Sequence, residues 1–157
     1  MSRRLKCRYL LLGIFLLLLA ASTVVRYVRP DLNPLRPGQV SVDLPEWDRD
    51  VQTGRDIRIA YRDLPATNGD VDAPVLVLVH GSPVASRALE DIIPHLNGEY
   101  RLIVPDLPGF GASTLEVADY SVRTHAHTVL DLMDHLGIER AHFVGYSQGG
   151  GVILNVT

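Results

Sequence analysis

The chain has 157 residues, 46% of them hydrophobic, 21% charged and 6% aromatic, with 13 Gly and 10 Pro, which excludes collagen-like, low-complexity and wholly disordered classes. One Cys excludes a disulfide framework and a cysteine-based zinc cluster. The net charge of −3 is unevenly spread: six basic and no acidic residues lie in positions 1–29, leaving nine of the 15 basic residues against all 18 acidic ones in the rest, a balance that argues against nucleic acid as a partner.

The first element is a run of 17 uncharged residues, Tyr9–Val25, preceded by Arg3, Arg4, Lys6 and Arg8 and followed by Arg26 and Arg29. The pattern predicts residues 1–28 to be a single-pass membrane anchor crossing through residues 9–25, with the basic end in the cytoplasm and the remainder on the far side. The competing reading is a signal peptide cleaved near Ala20-Ala21-Ser22, which would release a secreted protein. Cys7 precedes the run and so cannot be a lipoprotein cysteine, which would follow one.

Residues 29–39, with Pro30, Pro34, Pro37 and Gly38, read as a Pro-rich linker, and residues 40–157 as the N-terminal part of a folded domain. Val40–Leu44 and Ile57–Tyr61 alternate apolar and polar residues, predicting a hairpin at a sheet edge. Val75–Val79 is uninterruptedly apolar, as befits a strand covered on both faces, and Leu102–Val104 and His142–Val144 repeat the character more briefly. Between them, Leu89, Ile92, Ile93 and Leu96 predict one helix over 85–96. Ala126, Val129, Leu130, Met133 and Leu136 predict another over 122–136, with Ser121 as N-cap and Gly137 as its stop. Strands alternating with helices predict an α/β fold with a mostly parallel sheet.

The chemistry-bearing patterns sit where strands end. Gly145-Tyr146-Ser147-Gln148-Gly149 has the form G-x-S-x-G, in which a strand turns sharply into a helix and the glycines remove bulk on either side of a strained Ser147. The bland alternative is a packing serine, or one at an anion-binding helix start. A phosphate-binding loop is excluded because no Lys follows the glycines. His80-Gly81-Ser82-Pro83 follows the apolar strand. Acyl transfer needs two donors aimed at the developing oxyanion, and the N–H groups of Ser82 and Gln148 are the candidates. Gly81 permits close backbone approach, Pro83 fixes the exit of the loop, and His80 reads as a brace for its own loop rather than as a base.

Together with Pro105-Asp106-Leu107-Pro108-Gly109-Phe110-Gly111-Ala112-Ser113, these motifs resemble the first half of the α/β-hydrolase superfamily in order and spacing, over roughly residues 40–157. The resemblance implies Ser147 as nucleophile, the amides of Ser82 and Gln148 as oxyanion hole, and Asp106 with the Gly109/Gly111 turn as a structural loop near the site. It implies a serine hydrolase, foremost a carboxylic-ester hydrolase acting on a small-molecule ester or acyl substrate, with no metal and no organic cofactor. The elbow serine sets the chain apart from the dehalogenase and epoxide hydrolase branches, which carry aspartate there. A C–C bond hydrolase or a haloperoxidase-like enzyme is the alternative on the same serine, and a non-catalytic binding protein the alternative from another class. The family order is serine, acid, then histidine, and neither of the last two follows Ser147 here. The 157 residues alone are therefore expected to be a fragment without turnover, and nothing in the pattern specifies an oligomer.

Overall fold

A computed structural model describes residues 3–28 and 33–156. The side chains of residues 3–11 and 25–28, Cys7 among them, and residues 29–32 at the start of the expected linker lie outside the described ones. The chain divides after Pro30 into two units.

The first unit is one helix, α1 (Arg3–Val28), of 26 residues. The expected membrane crossing through residues 9–25 is not met: among the described residues no helix is long and apolar enough to cross a membrane. Length supplies the physical reason. The uncharged stretch between Arg8 and Arg26 holds 17 residues, about 25 Å of helix against a hydrocarbon core of about 30 Å. The assignment of the following domain to the far side of a membrane rested on that crossing and falls with it.

In the second unit the alternating and apolar runs become a five-stranded mixed sheet in the order β1-β2-β4-β3-β5. Strands β1 (Val40–Asp48) and β2 (Val51–Leu64) form an antiparallel hairpin closed at Arg49-Asp50. Strand β2 pairs antiparallel with β4 (Arg101–Pro105), and β3 (Val75–Val79) lies parallel to both β4 and β5 (His142–Gly145). Successive side chains of a strand face opposite sides, and β3 is buried on both. Val77 and Val79 pack with Ile59, Ile103, Val129, Leu132 and Val152 on one face, while Leu76 and Leu78 pack with Leu89, Ile93, Leu102 and Val104 on the other. That is why its sequence shows no alternation.

Helix α3 (Val122–His135) begins where expected, with the Ser121 side chain accepting from Thr124 N–H, and the chain leaves it through Gly137 at φ 66°. The predicted helix over 85–96 is instead a 3-10 turn, Ser86–Leu89, and a single α-turn, α2 (Ile93–Leu96). Pro94 explains the break, since it has no N–H to donate and its ring collides with a preceding helical turn. Leu89 and Ile93 still reach the core, so the apolar spacing reported burial correctly and continuity wrongly.

Residues 33–39 are bonded into the second unit. Asn33 Nδ2 donates to Gly111 O at 2.7 Å, and Gln39 Nε2 donates to Asp106 Oδ2 at 2.8 Å within the interior. Polar residues in a Pro-rich stretch carry no local sign of such distant partners.

Candidate active site

The register Val79↔Gly145 between β3 and β5 ends the two strands side by side, so the loops that leave them meet. From β5 the chain turns through Tyr146 and Ser147 into α4 (Gln148–Ile153). Ser147 has φ 54° and ψ −116°, a backbone state that L-residues rarely occupy and that neighbouring structure must enforce. The enforcement is visible in the glycines. A Cβ on Gly145 would run into the backbone of Gly149 and Gly150, and one on Gly149 into the carbonyl oxygens of Val79 and His80. Tyr146 N–H donates to Val79 O at 2.9 Å, and Gly149 N–H to Tyr146 O at 2.9 Å, closing the bend. Ser147 is exposed, and its side chain makes no capping bond to α4.

Across from the elbow lies the loop after β3. A Cβ on Gly81 would sit 2.8 Å from both the Cβ of Ser147 and the carbonyl oxygen of Tyr146, so only glycine allows this approach. Ser82 and Pro83, joined by a cis peptide, are exposed beside it. Among the described residues neither Ser82 N–H nor Gln148 N–H is spent on an acceptor. Gln148 Oε1 is buried and has no partner among the described residues.

His80 is fully buried. Its Nδ1 lies 2.8 Å from Gly81 O, and its Nε2 accepts Leu107 N–H at 3.0 Å. Burial pushes its pKa down, only partly opposed by the Gly81 bond and the Asp106 charge. Both ring nitrogens are thus engaged, which leaves no lone pair for proton transfer.

Asp106 is also fully buried. Its Oδ1 accepts Ser86 N–H at 2.8 Å, and its Oδ2 accepts Ala112 N–H at 2.9 Å beside the Gln39 amide. Burial raises its pKa, but the bonds from Ala112, Ser86 and Gln39 outweigh it and hold the carboxyl below the usual range. Gly111 (φ 57°) leaves the room that this carboxyl fills. The structure thus brings Gly81, Ser82, Pro83, Gly145, Ser147, Gln148 and Gly149 together. It sets His80 and Asp106 behind them as supports. Sequence reasoning missed Gln39, Ser86 and the amide of Ala112. Ala112 alone lay inside a recognised motif.

The profile of the alpha/beta hydrolase fold family matches residues 74–157. The Magnesium-chelatase 30 kDa subunit of Rhodobacter capsulatus is 36% identical over 89 residues, 56% of this chain and 31% of the relative. The 2-hydroxy-6-oxo-6-phenylhexa-2,4-dienoate hydrolase of Comamonas testosteroni is 44% identical over 85 residues, 52% of this chain and 30% of the relative. A thermophilic esterase from Thermogutta terrifontis superposes with a TM-score of 0.63 at 27% identity, over 74% of this chain and 39% of that one. The chain spans about a third of the length of these curated relatives. With the motif order, the strand order and the family profile in agreement, the chain belongs to the alpha/beta hydrolase fold family.

Proposed function

We propose that this chain is the nucleophile-bearing part of a serine hydrolase that cleaves a carboxylic ester through an acyl-enzyme on Ser147. The observation that carries the reading is the backbone of Ser147, held at φ 54° on an exposed bend against the Gly81 loop. Strain of that kind persists only where surrounding structure enforces it, and it clusters at reactive groups. Ser147 Oγ attacks the ester carbonyl carbon and gives its proton to a general base. The carbonyl oxygen becomes an oxyanion between the amides of Ser82 and Gln148, the alcohol leaves, and water then releases the acid. The base is not His80, whose nitrogens are committed to Gly81 O and Leu107 N–H. We assign the base and its orienting acid to the part of the family's domain that these 157 residues do not span, and expect negligible turnover from the 157 residues alone.

Support for acyl chemistry comes from the esterase likeness, and serine at the elbow speaks against the family branches that use aspartate there. A second reading, hydrolysis of a C–C bond next to a carbonyl by the same serine, is favoured by the dienoate hydrolase relative. The test is fluorophosphonate labelling of the full-length protein. Labelling that disappears in Ser147→Ala is expected; absent labelling overturns the reading in favour of a non-catalytic binding role, and labelling that survives the substitution overturns Ser147 as the nucleophile. Turnover of p-nitrophenyl esters against vinylogous diketones then separates ester from C–C bond hydrolysis.

A further inference from the structure

The loop from His80 to Ser86 carries Ser82 on its exposed stretch and is tied down at both ends by two consecutive residues at the exit of β4. Leu107 N–H holds the near end through His80 Nε2 at 3.0 Å. Asp106 Oδ1 holds the far end through Ser86 N–H at 2.8 Å. Between these anchors Gly81 lies against the elbow, so the seat of Ser82 depends on where the anchors lie.

Asp106 suits this task because it is an acceptor on every side. Its two oxygens take donors from three separated segments: Ser86 after the loop, Ala112 in the turn after β4, and Gln39 in the segment before β1. No ion pair with a cation is formed by this carboxylate among the described residues. A neutral amide in its place would point a donor at a donor. Gln39 cannot readily turn its own amide to compensate, because its Oε1 already accepts Arg36 N–H at 2.9 Å.

We propose that Asp106 is a positioning residue for the acyl-transfer site, setting through Ser86 N–H the height at which the Ser82 amide stands over the Ser147 elbow. This rests on the reading of Ser147 and Ser82 given above. It also makes the segment before β1 a contributor to the site, since Gln39 holds the same carboxylate from behind.

Two of the three arms, from Ser86 and from Gln39, can be cut separately. Ser86→Pro removes the N–H; Ala85 before it is extended (φ −119°, ψ −174°), the state a residue preceding proline prefers, and Ser86 opens a helical turn, where proline is tolerated. Ser86→Ala loses the hydroxyl, which also bonds the Asp106 carboxylate, and keeps the N–H. Asp106→Asn keeps the shape and loses an acceptor. Gln39→Ala cuts only the arm behind.

The experiment uses the full-length protein with two readouts, the rate of fluorophosphonate labelling and amide hydrogen exchange in peptides covering residues 80–88. Asp106→Asn and Ser86→Pro are expected to slow labelling by about 10- to 100-fold, the range seen when catalytic geometry shifts by about an ångström, and to speed exchange in the loop. With an ester substrate the loss falls on kcat, with KM within about threefold, because an oxyanion donor acts on the transition state. Ser86→Ala is expected to restore most of what Ser86→Pro loses. Gln39→Ala lowers the melting temperature more than the labelling rate. Wild-type labelling and exchange in folded Ser86→Pro overturns the proposal, as does a loss of rate that tracks melting temperature across all four variants. If the wild-type protein does not label at all, the hydrolase reading fails, and the catalytic part of this proposal fails with it. Loop exchange then decides the anchoring by itself: faster exchange in Ser86→Pro supports it and unchanged exchange overturns it.

Discussion

Leu107 N–H donates to His80 Nε2 at 3.0 Å, which settles the protonation of a histidine that sequence alone leaves open. An amide nitrogen can only donate, so the imidazole proton resides on Nδ1 and goes to Gly81 O at 2.8 Å. His80→Leu strands a buried N–H and a buried carbonyl, an expected loss of about 2–4 kcal/mol. His80→Gln retains one donor and one acceptor and loses less. Urea denaturation of the two variants checks this, and equal losses would show that packing rather than hydrogen bonding holds the ring.

Ser147→Gly is expected to stabilise the fold while abolishing labelling. The serine sits at φ 54° and ψ −116°, where glycine carries no steric penalty, and release of such strain is worth roughly 1–3 kcal/mol. Ser147→Ala keeps the Cβ and keeps the strain. Thermal melts of both variants decide the matter, since a glycine variant no more stable than the alanine variant removes the argument.

The glycines divide by what a methyl group would strike. At Gly149 it would meet the Val79 and His80 carbonyls, which belong to a central strand and its exit and cannot yield. Gly149→Ala is expected to cost more than about 3 kcal/mol or to prevent folding. Gly81→Ala pushes against Ser147 Cβ and Tyr146 O at 2.8 Å, so its main effect is expected on Ser147 labelling, slowed at least about tenfold. Gly98→Ala meets nothing within 4 Å among the described residues and is expected to stay within about 0.5 kcal/mol of wild type. Parallel melts and labelling rates test the ranking.

Acid sensitivity is expected to centre on His125. It is fully buried beside Phe110, and neither ring nitrogen has a partner among the described residues. Burial foremost, with the nearby His80, lowers its pKa to about 4, against the opposing pull of Asp119. The unfolded chain binds this proton near pH 6.5, so between about 6.5 and 4 it holds a proton that the folded chain refuses. The stabilisation is therefore complete above about pH 6.5 and is lost as the pH falls through that window, by roughly 3 kcal/mol in all. His80, depressed in the same direction, adds to the slope. Asp119, held down at about 2, acts only below the window. His125→Leu is expected to flatten the profile and to be at least as stable as wild type at pH 7.5. Denaturation midpoints at pH 7.5 and 5.0 measure this, and an unchanged slope would rule His125 out.

Local patterns determined much of this protein. The apolar run at residues 75–79 is a buried strand, Ser121 and Gly137 bound α3, and the spacing of Gly145, Ser147 and Gly149 marks the elbow, because each reports the backbone state or burial of its own few residues. Apolar patterning overrode two local signals. Pro94 breaks a helix that apolar spacing draws as continuous, and the Arg-flanked run of residues 9–25 predicts a crossing although, among the described residues, no helix is long and apolar enough to cross a membrane. The pairing of Gln39 and Ser86 with Asp106 joins positions 67 and 20 residues apart. Only the folded chain decides such pairings, because they depend on the register that ends β3 beside β5 and on the burial that leaves a carboxylate no water to bind.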